Sequence, residues 1–181
     1  MSDEGRSARP GPGLDRLWAG WRSTYLEAVT GDPTPLRPDA EGSLFERILA
    51  LPDDEGLVVH RGDRVAVLLN AYPYTNGHCM VLPTRAVADL DGLDPDESAE
   101  LWRTVEAAVA AVRAAYRCDG VNVGLNLGAA AGAGVPDHLH VHVLPRWAGD
   151  SNFMTAVAEA RVLPEPLGDA WHRLRAAWPT A

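Results

Sequence analysis

The stretch His138-Leu139-His140-Val141-His142-Val143-Leu144 constrains the fold more than any other part of the chain. Strict alternation of polar and apolar residues marks a strand laid on a core, because successive side chains point to opposite sides. Leu139, Val141 and Val143 then face the interior, and the three imidazoles share the other face with their Cα atoms about 6.5–7 Å apart. The candidate chemistry therefore sits on one side of one strand, predicted over 138–144.

The rest of the chain supplies partners for that strand. Residues 56–60 and 64–69 alternate around Arg61-Gly62-Asp63 as a hairpin, and a third strand follows over 79–82. Asp94-Pro95-Asp96-Glu97 offers an N-cap, a proline at the first helical position and a capping-box acid. The helix it opens carries Leu101, Val105, Val109, Val112 and Tyr116 on one face and ends near Gly120. A strand over 121–127 and a small-residue loop from Gly128 to Gly134 lead into the histidines, and a last helix carries Leu167, Trp171, Leu174 and Trp178. Phe45, Ile48 and Leu49 mark a short helix before the hairpin. This order lacks regular strand–helix alternation, so the expected class is α+β, a mainly antiparallel five-stranded sheet carrying helices.

Residues 1–12 lack apolar periodicity and read as a loose tail, 13–42 as a helix and Pro-rich linker, and 43–181 as the main domain. In the first helix Leu14, Leu17, Trp18, Trp21 and Tyr25 recur at helical spacing; packing is the plain role for that stripe. With 181 residues, 46% of them hydrophobic, one globular domain has enough core to fold without staples. The formal charge of −9 argues against a nucleic acid polymer as partner, since such affinity comes mainly from Lys and Arg, and makes any phosphate site local. Two cysteines form no disulfide framework, and no apolar run is long enough for a membrane span or a signal-peptide core. A reducing cytoplasm is the expected compartment.

Three histidines on one face admit three readings from the residues alone. They could be a structurally hydrogen-bonded set. They could be ligands of a catalytic zinc, since alternate histidines on a strand can reach one ion. Or a central imidazole could attack phosphorus while its neighbours supply protons and hydrogen bonds.

The run His138-Leu139-His140-Val141-His142-Val143-Leu144-Pro145-Arg146 resembles the signature of the histidine-triad (HIT) superfamily. Asn70-Ala71-Tyr72-Pro73, Asn76-Gly77-His78 and Pro83 extend the likeness, which covers about residues 43–150. Asn126-Leu127-Gly128 and the run Arg146-Trp147-Ala148-Gly149-Asp150-Ser151-Asn152-Phe153-Met154 are similar to the actinobacterial diadenosine tetraphosphate phosphorylase-like branch. The resemblance implies a HIT-like catalytic domain, usually a homodimer whose sheets meet across a two-fold axis. It implies a nucleotidyl hydrolase or transferase, with a small-molecule nucleotide as substrate. His140 would attack the α-phosphorus to give a nucleotidyl-histidine, flanked by His138 and His142. The alternatives are a nucleotide-binding regulatory module without turnover and a zinc-dependent enzyme.

By the same resemblance Asn126 donates its amide to phosphate, and Asn70 contacts ribose or phosphate. Small residues from Gly128 to Gly134 let backbone N–H groups approach oxygen anions, though a tight turn would look the same. Phe45, Ile48 and Leu69 are candidates to hold the base, with core packing as their plainer role. Trp147 stacks on a base, lines the entrance or packs in the core, and Arg146 pairs with a phosphate or with an acid of the fold. Two departures from the family pattern stand out. Many relatives carry Cys-x-x-Cys before the first strand, where this chain has Ser43 and Glu46, so no metal or other cofactor is expected. Four residues before His138 relatives carry Gln or Ser, where this chain has Gly134. A side-chain donor at such a place is worth about 2.7–4 kcal/mol in the transition state, which leaves hydrolysis, phosphorolysis and transfer all open.

Overall fold

A computed structural model describes residues 41–150 and 165–180. The tail over 1–12, the aromatic helix within 13–42 and motif residues 151–154 lie outside the described residues. Five strands form one antiparallel sheet: β1 (Val58–Arg61), β2 (Val65–Leu69), β3 (Cys79–Pro83), β4 (Gly120–Leu125) and β5 (Val141–Arg146), in the order β1-β2-β3-β5-β4. Helix α1 (Leu44–Leu49) covers one face, and α2 (Pro95–Tyr116) with α3 (Leu167–Ala176) covers the other. The α+β class and the five-stranded sheet expected from the sequence are both present.

Alternation divides the core. Val65, Val67, Val81, Leu139, Val141 and Val143 pack against Leu101, Val105, Ala108 and Val112 of α2 and Leu174 of α3. The intervening residues Val58, Leu68, Met80 and Leu82 pack against Phe45 of α1. Every residue of β2 and β3 is buried, because both of their faces are covered. Helix α2 starts where its caps place it: the Asp94 side chain accepts from the Glu97 N–H, and Glu97 reaches back to the Asp94 N–H. Val109 and Tyr116, expected on its buried stripe, lie at the margin of the core and are partly buried. Among the described residues, no helix is long and apolar enough to cross a membrane.

Two strands start two or more residues later than the sequence reading, each for a local reason; β4 also ends at Leu125 rather than 127 and β5 runs on to Arg146. The first strand begins at Val58 rather than at Gly56, because Leu57 sits in the left-handed region with φ 52° and breaks the extended run. That conformation is sustained by burial of the Leu57 side chain and by its carbonyl, which accepts from the Leu69 N–H at 3.0 Å. The last strand begins at Val141, not at His138. Its ladder to β3 closes at the pair Val81 and Val141, and the next β3 residue on that side is Pro83, which has no N–H to donate. Residues 138–140 lead in outside the ladder, with a bend at His138, and are fastened by the Leu139 N–H donating to the Val87 carbonyl at 2.6 Å.

Candidate active site

His138 is a bracket rather than a wall of the site. Its ring is fully buried, with Nε2 donating to the Pro83 carbonyl at 2.8 Å. Nδ1 is thereby left as an acceptor, and the Ser43 hydroxyl donates to it at 2.6 Å. Ser43 is also the N-cap of α1, accepting from the Glu46 N–H, while the Glu46 carboxylate takes the Ser43 and Ala86 N–H groups. The pair that replaces Cys-x-x-Cys therefore fastens α1 to the histidine segment by hydrogen bonds. Burial depresses the His138 pKa against the opposing pull of Pro83, which keeps the ring neutral.

His140 and His142 turn their rings towards each other, with centroids 4.9 Å apart and planes at 80°. His140 Nδ1 donates to the His138 carbonyl at 2.9 Å, so its Nε2 carries the lone pair. Phe45 stands edge-on to this ring at 5.1 Å. The tautomer of His142 is set from behind by His78, which is fully buried at the start of β3. The Tyr74 N–H and the Asn70 side-chain amide both donate to His78 Nδ1, at 3.1 and 3.3 Å. His78 Nε2 is then protonated and donates to His142 Nδ1 at 2.9 Å, which leaves the proton of His142 on Nε2. Burial, with His140 nearby, pushes the His142 pKa down to about 4, so this ring is neutral at pH 7. The two rings thus present opposite functions side by side, a lone pair on His140 and an N–H on His142.

Both rings open into a cavity of about 350 Å³ between α1, the ends of β2 and β3, and the loop before His138. Phe45, Ile48, Leu69, Asn70 and Gly134 line it with His140 and His142, so seven of the expected site residues meet there. Leu69 also belongs to the larger core, and the Asn70 carbonyl oxygen accepts from the Tyr72 N–H at 2.8 Å. Among the described residues that line it, Glu55 is the only ionisable side chain besides the histidines and two tyrosines. Among the described lining residues the His142 N–H is a neutral donor that a phosphate oxygen can meet.

Other expected site residues stand elsewhere. Arg146 forks onto the Asp150 carboxylate at 2.6 and 2.7 Å and donates to the Asn122 carbonyl oxygen at 2.7 Å, so of its two readings the structure places it on an acid of the fold. Trp147 lies edge-on to Tyr116 at 6.2 Å, with the α2 side of the sheet and away from the cavity lining. Gly128 does not line the cavity, and Asn126 stands one shell back, beside Gly132. The loop is less of an amide cradle than its composition suggests. The N–H groups of Ala131 and Ala133 bond to the Gly128 carbonyl, and that of Gly132 to the Ala129 carbonyl. Gly134 borders the cavity with open space where a side chain would begin.

His78 lies outside the triad, and its signal in the sequence is the Gly-His pair at the head of a strand. Among the described residues, no group of three His, Cys, Asp or Glu side chains is arranged for a metal ion. Both His138 ring nitrogens are already engaged, which does not fit three imidazoles on one zinc. Burial pushes the Cys79 thiol up to about 12, so it is no nucleophile.

The family described as the HIT domain matches residues 53–149. The chain is 43% identical over 165 residues to a Mycobacterium tuberculosis protein named AP-4-A phosphorylase, covering 91% of this chain and 85% of that one. Among solved structures, a zinc-bound histidine triad family protein from Mycobacterium smegmatis is 26% identical with a TM-score of 0.56, covering 85% of this chain and 91% of that one. A HIT-like protein involved in cell-cycle regulation from Bartonella henselae is 26% identical with a TM-score of 0.57, covering 67% and 85%.

Proposed function

Because this chain belongs to the HIT domain family, we propose that it is an enzyme that cleaves dinucleoside polyphosphates of the diadenosine tetraphosphate kind through a nucleotidyl-histidine. The observation that carries this reading is the opposed pair of rings, His140 with its Nε2 lone pair and His142 with its Nε2 proton, on one cavity wall.

His140 Nε2 attacks the α-phosphorus, the N–P bond forms, and the P–O bond to the remaining phosphates breaks. The leaving nucleotide departs with the electron pair of that bond, and the His142 N–H stabilises the charge that develops on the phosphoryl oxygens. Water or inorganic phosphate then attacks the same phosphorus, the N–P bond breaks, and His140 is regenerated. The retained nucleoside lies against Phe45 and Ile48, with Asn70 at its ribose or phosphate. A zinc centre on the triad is disfavoured by the engaged nitrogens of His138. A homodimer is part of this reading, with β4 at one edge of the sheet and Val123 exposed on it. Light scattering of the purified chain gives twice the monomer mass if that holds.

The test is incubation with diadenosine tetraphosphate, with and without inorganic phosphate. ADP formed only with phosphate identifies phosphorolysis, and AMP plus ATP identifies hydrolysis. Loss of either product in His140→Ala, with folding intact, supports the reading; no product from the wild type leaves a binding module without turnover.

A further inference from the structure

A dinucleoside polyphosphate carries two nucleosides, and a cavity of about 350 Å³ is at the small end of ligand sites, with room for one. Resting on the cleavage reaction above, the second nucleoside must lie outside, on surface that borders the mouth. Of the large apolar side chains exposed among the described residues, only Tyr72 and Tyr74 also line the cavity, 37% and 48% exposed. Both belong to the loop between β2 and β3.

We propose that Tyr72 and Tyr74 form a stacking site for the nucleoside of the departing nucleotide. The two sides of the reacting centre differ. Phe45 packs against His140, on the side of the apolar cavity that takes the retained nucleoside. Tyr74 packs on the other flank, its ring centroid 6.0 Å from His142 and 4.8 Å from His78. A group that leaves across the His142 side therefore passes Tyr74, with Tyr72 two residues away on the same loop. Aromatic faces are suited to this task, because every base has a π-face and stacking tolerates any of them. Tyrosine rings supply large, rigid stacking area, and these two stand partly exposed at the cavity rim.

The experiment compares kcat/KM for diadenosine tetraphosphate with that for adenosine 5′-tetraphosphate, which has the same polyphosphate but no second nucleoside. Disturbance of folding or of the histidines falls equally on both substrates and cancels in their ratio. Tyr72→Ala and Tyr74→Ala should each lower the ratio, and the double variant by about tenfold, the low end of what base stacking supplies. Tyr→Phe at both positions should restore it. An unchanged ratio in the double variant, or an equal loss on both substrates, overturns this site while leaving the cleavage reaction standing. No turnover of either substrate by the wild type removes both.

Discussion

Replacing His78 separates a histidine that reacts from one that only aims another. His78→Leu keeps a buried apolar volume but removes, among the described residues, side-chain hydrogen bonds to the Tyr74 N–H, the Asn70 amide and His142 Nδ1, at 3.1, 3.3 and 2.9 Å. At about 1 kcal/mol for each neutral bond, with partners left unpaired in the interior, the fold should lose about 2–4 kcal/mol, partly offset by the apolar side chain. The catalytic effect has a different origin. Without the His78 proton, nothing holds the proton of His142 on Nε2, and the donor beside the reacting phosphorus is present only part of the time. A correctly placed proton or hydrogen-bond donor is worth about 10²–10⁴ in rate when lost outright, so a donor present part of the time should lower kcat by a smaller factor, about tenfold, while KM changes little. His78→Gln can still accept from the loop and donate to His142, and should recover much of kcat. Steady-state kinetics and urea unfolding of both variants make the test. A His78→Leu enzyme with wild-type kcat would refute the tautomer chain; equal losses in His78→Gln and His78→Leu would refute its chemical origin.

The depressed pKa of His142 gives a stability signature. Between its folded value of about 4 and its ordinary 6.5, the unfolded chain takes up a proton that the folded chain refuses, so stability is full above 6.5 and is lost as pH falls towards 4. Allowing for partial solvent access, the loss should be about 2 kcal/mol, smaller in His142→Asn, and urea unfolding across this window measures it. Ser43→Ala removes both the α1 cap and the donor to His138, and should cost about 2 kcal/mol in thermal or urea unfolding. Arg146→Met should leave KM within about twofold, because this guanidinium is committed to Asp150 and Asn122; a tenfold rise would place it on the substrate.

Much of this architecture is legible in the sequence because local physics and tertiary context agree. Asp94-Pro95 and Glu97 cap α2 as their chemistry requires, and the alternation at 138–144 sends Leu139, Val141 and Val143 into the core. The boundaries are less legible, since they depend on events elsewhere: Pro83, 55 residues upstream of His138, ends the ladder that would have extended β5. Within the site, the structure brings His140 and His142 together with Phe45, Ile48, Leu69 and Asn70, while His138, Arg146 and Trp147 stand outside the cavity lining. Arg146 suits a phosphate, but Asp150, four residues on, claims it first. Trp147 suits a base, but strand parity carries it to the α2 side, beside Tyr116. His78 was hidden because its role is a hydrogen bond across 64 positions of sequence, which no spacing rule encodes.

The central claim is a covalent bond between phosphorus and the ring nitrogen at position 140. Intact-mass spectrometry of the enzyme, quenched in alkaline denaturant because an N–P bond is acid-labile, within milliseconds of mixing with diadenosine tetraphosphate, tests it directly. One added nucleotidyl group is expected, localised to His140 by peptide mapping and missing in His140→Gly. An adduct on any other residue, or undiminished turnover by His140→Gly, would contradict it.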